Sequence, residues 1–253
     1  MQTLPKEFTT IVPSTAKIVQ NEGIAALWKG AVPTVIGMAL ENAMAFGINE
    51  ALKRAFPDDP NPDGNLHLAK PFAMGALTGV SSAFVLLPSE IVKAKLQVVV
   101  GKNVTTGTIV RKMITKQGYS SLLCGLDAQL ARDATFYAVF FGGYDLSCYM
   151  FRTHVPIMPE EVNFFISGGL AGMLGWTVAM PFDVPKTNVQ SRYDTKVIGS
   201  FVPELVGIAK ARGVGALYSG LIPTLIRAFP ANAALFLGVE MGKRWFDKYV
   251  WKA

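Results

Sequence analysis

Charged side chains recur inside long apolar stretches of this 253-residue chain. Glu41 stands midway along GAVPTVIGMALENAMAFGINEALK, about 15 Å from either end at about 1.5 Å of helical rise per residue. Arg132 and Asp133 follow Gly125 by seven and eight residues, Arg227 follows Gly220 by seven, and Glu41 follows Gly30 by eleven. An offset of four residues is about 40° around a helix, so Glu41, Arg132 and Arg227 share a face and nearly a depth. A charge at the centre of a bilayer costs roughly 2.5–3.5 kcal/mol, which argues that these side chains face a polar interior. Glu41 and Asp133 can hold an ammonium or guanidinium group, while Arg132 and Arg227 can grip a carboxylate in a bidentate fork. That set suits a small solute carrying both signs of charge. The competing reading is that the arginines snorkel to the interface and that Glu41 is a protonated acid packed between helices.

A second constellation follows proline. Pro88, Glu90, Lys93 and Gln97 keep the same internal spacing as Pro181, Asp183, Lys186 and Gln190. Proline removes a backbone donor and is expected to break or kink the helix there, and an acid and a base three residues apart lie on one helical face. Pairing within one helix end is one possibility. The sharper one is pairing of each acid with a lysine of the next repeat, forming a ring that closes a pore.

These residues need elements that repeat. NEGIAALWKG, KQGYSSLLCG and ARGVGALYSG read alike, and 95 residues separate Gly23 from Gly118 and Gly118 from Gly213. Glu50, Asp145 and Glu240 keep the same step of 95, with Lys53 and Lys243 three residues after two of them. The step falls to 93 between Pro88 and Pro181, so a connection is shortened. The chain is a triplication, divided as 1–56, 57–152 and 153–253, the first part being only the second half of a unit. Apolar stretches at 71–97, 126–148, 163–190 and 221–246, together with the one holding Glu41, are long enough to span a membrane. Five spans are expected where the triplication requires six, the first being absent because the period puts the end of its motif at Gln2. Gly75 with Gly79, and Gly168 with Gly172, are spaced for close backbone approach between membrane helices. Lys102, Arg111, Lys112 and Lys116, and Arg192, Lys196, Lys210 and Arg212, mark their two loops as the inside face, against the acidic Asp58, Asp59 and Asp63.

The composition, 51% hydrophobic and 17% charged, fits such an all-α membrane protein. No metal-ligand spacing surrounds Cys124 and Cys148, no basic-aromatic platform points to nucleic acid, and the N-terminus lacks a signal-peptide pattern. His67 and His154 read as solvated loop residues, with no nucleophile constellation nearby. An enzyme is not expected, nor a cofactor or a metal.

The two proline motifs and the Glu22, Gly23, Trp28, Lys29, Gly30 run resemble the signatures of the mitochondrial carrier family over the whole chain. That resemblance implies a pseudo-three-fold six-helix barrel with short matrix helices, lacking here its first transmembrane helix, and a monomer passing several times through the mitochondrial inner membrane. It implies a matrix gate formed by Glu90, Lys93, Gln97, Asp183, Lys186 and Gln190. It also implies a cytoplasmic gate formed by Glu50, Lys53, Asp145, Glu240 and Lys243, weakened where Cys148 replaces a base. Cardiolipin phosphates would sit at the helix starts after Gly30, Gly125 and Gly220. Arg132-Asp133, LENA at 40–43 and FFGGYDLS at 140–147 resemble ornithine carriers, although Met38 departs from them, and 226–240 also resembles carnitine/acylcarnitine carriers. The expected function is antiport of a basic amino acid such as ornithine by alternating access, with substrate contacts at Glu41, Arg132, Asp133 and Arg227. Carnitine/acylcarnitine transport is the alternative, and a truncated, non-transporting carrier isoform or remnant is an alternative of another class.

Overall fold

The computed structural model describes residues 31–56, 69–98, 106–191 and 199–249. The Glu22–Gly30 run and the loop residues Asp58, Asp59, Asp63, His67, Lys102, Arg192 and Lys196 lie outside them. Among the described residues the regular structure is entirely helical: α1 (Ala31–Ala55), α2 (Ala69–Val98), α3 (Thr106–Gln117), α4 (Leu126–His154), α5 (Glu160–Ser191), α6 (Phe201–Arg212) and α7 (Leu221–Tyr249). Single 3-10 turns, Tyr119–Leu123 and Val214–Tyr218, precede α4 and α7.

The sequence period is written into these boundaries. A step of 95 carries the ends of α3 onto those of α6, the first 3-10 turn onto the second, and α4 onto α7. A step of 93 carries the end of α2 onto the end of α5. The paired glycines of the repeated motif explain themselves locally. Gly118 and Gly213, and Gly125 and Gly220, have φ of 73°, 79°, 72° and 87°, a left-handed conformation that a Cβ disfavours.

Five helices, of 25 to 32 residues, exceed the roughly 20 residues that a bilayer requires. Ala69–Lys95, Glu160–Ser191 and Val214–Lys248 are also apolar enough in composition to cross one. The lengths of α1 and α4 are similar, and α4 carries Arg132, Asp133 and Asp145 within its apolar stretch. Large apolar side chains face outward on these helices, Ile222 and Ile226 at 72% exposure each. The expected break at proline does not occur: α2 runs through Pro88 and α5 through Pro181 and Pro185. One missing donor in α2 and two in α5 are tolerated in long helices whose other backbone groups remain bonded within them.

Contacts divide the chain into two compact units. One comprises residues 1–48, 82–129 and 183–220. Here each short helix lies against the end of its own repeat's long helix. Ile109 and Met113 of α3 pack on Leu87, Ile91 and Val92 of α2, and Ile208 of α6 packs with Val184 of α5 and Leu217. The Asp127 carboxylate accepts hydrogen bonds from the amides of Gly199 (2.8 Å) and Phe201 (3.0 Å) at the start of α6, where a negative charge complements the helix dipole.

The other unit comprises residues 49–81, 130–182 and 221–253. Its long helices approach closely at the spaced glycines. A Cβ on Gly75 would collide with the Tyr137 carbonyl, and one on Gly79 with the Asp133 carbonyl of α4. A Cβ on Gly168 would collide with the Phe236 side chain, and one on Gly172 with the Asn232 side chain of α7. Around these contacts Phe136, Phe140, Phe141, Tyr144 and Phe236 form a continuous aromatic cluster, with Tyr144 and Phe236 stacked at 3.8 Å.

Candidate functional site

In the unit holding the proline motifs, the Lys186 ammonium donates to Glu90 Oε2 at 2.7 Å. The lysine side chain is 5% exposed and the carboxylate 24%. This bond joins two repeats, so the inter-repeat arrangement is the one the molecule adopts at this pair, rather than pairing of Glu90 with Lys93 within one helix. Four residues beyond Lys186, buried Gln190 donates through Nε2 to Gln129 Oε1 at 2.7 Å, which adds a second link between the same two repeats. Lys93 is exposed and Asp183 is half-buried. Gln97 falls in the last turn of α2, with its side chain outside the described residues. Glu41 belongs to this unit as well and is half-buried on α1.

In the other unit two lysines reach forward or back to the acid of a different repeat. Lys53 donates to Asp145 Oδ2 at 2.6 Å, and Lys243 donates to Glu50 Oε2 at 3.1 Å. Lys243 also lies 3.7 Å from Glu240 on its own helix, and Arg54 lies 3.5 Å from Glu50. Cys148 occupies the third lysine's place and is buried. Its carbonyl accepts from Asn163 Nδ2 at 3.3 Å, and Asn163 in turn accepts from Ser167 at 2.9 Å.

Arg132 and Asp133 bond to each other, guanidinium Nη1 to Oδ1, at 2.6 Å. Asp133 is 1% exposed and Arg132 12%. The guanidinium also lies 5.1 Å from the ring centres of both Phe136 and Trp176, a cation–π geometry. The Asp133 carboxylate thus braces its neighbour's guanidinium, which two aromatic rings orient from the other side. Arg227 is exposed on α7.

Several participants are not evident in the sequence. Gln129 has threonine at both equivalent repeat positions, Thr34 and Thr224, so periodicity gives no warning of it. Arg244 bonds to both Glu160 and Glu161 and lies 4.9 Å above the Phe164 ring, and Arg152 approaches Glu160 at 3.7 Å. A cavity of about 400 Å³ opens beside the Lys53–Asp145 pair, lined among others by Lys70, Tyr144, Cys148, Arg152 and Glu240. Among the described residues no group of three histidine, cysteine, aspartate or glutamate side chains is placed to hold a metal ion.

A family model described as mitochondrial carrier protein matches the chain three times, at residues 1–60, 64–155 and 160–250. The mitochondrial ornithine transporter 1 of Mus musculus is 31% identical over 259 residues, covering 96% of this chain and 85% of the relative. The mitochondrial arginine transporter of Arabidopsis thaliana is 30% identical over 250 residues, covering 90% and 78%. The mitochondrial carnitine/acylcarnitine carrier protein of Homo sapiens is 30% identical over 240 residues, covering 91% and 78%.

Proposed function

We propose, since the chain belongs to the mitochondrial carrier family, that it exchanges a basic amino acid such as ornithine across the inner mitochondrial membrane by alternating access. The reading is carried by Glu41, a half-buried carboxylate in the middle of α1, whose negative charge complements a cationic cargo. Relatives that bear the names ornithine transporter and arginine transporter support it. In this reading Glu41 receives the cationic side chain, and Arg132, held by Asp133, Phe136 and Trp176, receives the carboxylate. Arg227 supplies a further cation. The repeat-bridging pairs would act as gates: Glu90–Lys186 with Gln190, and with Lys93, Asp183 and Gln97, on the matrix side. On the cytoplasmic side they are Lys53–Asp145 and Lys243–Glu50, with Glu240.

Exchange of labelled L-ornithine by the protein reconstituted in liposomes tests the assignment. Wild-type protein should exchange ornithine, and Glu41→Gln should lose that exchange at least tenfold. No ornithine exchange by the wild type, or undiminished exchange by the variant, removes the assignment.

A carnitine/acylcarnitine cargo is the second reading, supported by the human relative of similar identity. It predicts exchange of carnitine in the same liposomes. The anionic lipid cardiolipin remains part of the proposal. The start of α7, with no acid in its first turn, suits a phosphate better than that of α4, which carries Asp127.

A further inference from the structure

The three-fold register exposes a gap. Lys53, Cys148 and Lys243 occupy equivalent positions on α1, α4 and α7, each three residues after an acid. Two of the three bases bond to the acid of another repeat, Lys53 to Asp145 and Lys243 to Glu50. The third link would run from position 148 to Glu240, and there the chain has a thiol, which carries no positive charge. Glu240 is left with Lys243 of its own helix at 3.7 Å.

The gap is roomy and is lined by both charged and apolar side chains, Phe56, Met74 and Phe164 among the latter. The cavity of about 400 Å³ is lined by Cys148 and Glu240 themselves, with Asp145, Tyr144, Lys70 and Arg152 around them. Its volume lies at the small-metabolite end of ligand sites, which run from about 300 to 1,000 Å³. Tyr144 on this lining is 7% exposed, yet its hydroxyl has no hydrogen-bond partner. The neighbouring Cys148 thiol is a poor one. Buried hydroxyls are ordinarily bonded, so this one marks an unsatisfied polar group beside the position where the third base is missing.

We propose that this cavity is an outer binding site for a zwitterionic amino acid. The cationic end of the ligand stands in for the missing base between Asp145 and Glu240, accepting the bond geometry that Lys53 and Lys243 use elsewhere. Its carboxylate faces Lys70 and Arg152. The ring of ion pairs is then complete only when cargo is present. The choice of probe rests on the proposed basic amino-acid cargo, but the site is distinct from Glu41, Arg132 and Arg227.

The test is equilibrium binding of labelled L-ornithine to the full chain in detergent, with Glu41→Gln introduced to disable the inner site. One saturable site should remain, and adding Cys148→Arg, which supplies the base covalently, should weaken it at least tenfold. Cys148→Arg should also raise the melting temperature, which shows that the variant folds. Glu240→Gln should weaken binding comparably by removing the acid instead. Absence of saturable binding in Glu41→Gln overturns the proposal. So does binding that Cys148→Arg and Glu240→Gln leave unchanged, or equal displacement by inorganic phosphate, which would mark an anion site. If wild-type protein exchanges ornithine but this binding is missing, the outer site alone fails. If the binding is present without exchange, the cargo assignment alone fails.

Discussion

Lys186 of one repeat donates its ammonium to Glu90 of another across 2.7 Å, with the lysine almost wholly withdrawn from solvent. Removing Glu90 takes the carboxylate from an ammonium that is 5% exposed, and a buried charge left uncompensated costs about 3–5 kcal/mol. Glu90→Ala should therefore lower the melting temperature sharply, while the charge swap Glu90→Lys with Lys186→Glu should recover more than half the loss. Thermal unfolding of the detergent-solubilised variants measures both. Equal damage by the single and the swapped variants would show that the pair is not the stabilising unit.

Cys148→Lys should have the opposite sign. It restores the third base beside Glu240, a partly exposed link worth about 0.2–1 kcal/mol. The expected result is a melting temperature higher by about 1–4 °C together with slower exchange in liposomes, because a complete ring opens less readily. Faster exchange would contradict a gating role for these pairs.

Gly75→Ala and Gly79→Ala each drive a methyl group into a carbonyl of α4. Overpacking of this kind costs about 1–3 kcal/mol. Gly47→Ala on α1 meets nothing within 4 Å and should be neutral, or stabilising by up to about 1 kcal/mol through helix propensity. Melting temperatures of the three variants settle the ordering.

Arg132→Ala and Asp133→Ala should each lower stability, and the double variant should lower it by less than their sum, because the two side chains share one bond of 2.6 Å. The difference, read by a double-mutant cycle, separates the positioning role of Asp133 from direct cargo binding. If the two effects simply add, Asp133 does not act through Arg132.

Burial raises the Cys124 thiol above its ordinary range, against an opposing pull from Lys95. At any given pH its thiolate is therefore scarcer than that of a free cysteine, whose pKa is about 8.5. Alkylation of Cys124, in a Cys148→Ser background, should be slow at neutral pH and accelerate only in alkaline solution. Rapid labelling at pH 7 would show that the thiol is not desolvated.

How much of this was legible in sequence follows from which interactions repeat. The helices, the glycine turns and the Lys53, Lys243 and Lys186 bridges belong to a pattern copied at 93 or 95 residues, so spacing and charge expose them. The Gln190–Gln129 bond escapes because Gln129 has no copy in the other repeats. The Asp127 cap on Gly199 and Phe201 escapes because it joins residues 72 and 74 apart by geometry alone. Proline suggested interruptions in α2 and α5 that the helices do not show, since one absent donor in α2 and two in α5 are too small a perturbation to end helices of 30 and 32 residues. The cavity depends on a side chain that is too short and on the space left around it, and spacing records neither.

The glycine contacts of α2 on α4 and of α5 on α7 also limit how this molecule can move. At α2–α4 the backbones are in direct contact, and at α5–α7 the glycines seat the Phe236 and Asn232 side chains, so each such pair is a stiff lever that must swing whole. Flexing has to be sought at the breakable bridges and short connections joining one lever to the next. A spin-label distance measured within α2–α4 should stay fixed through transport, whereas one measured from α4 to α7 should change.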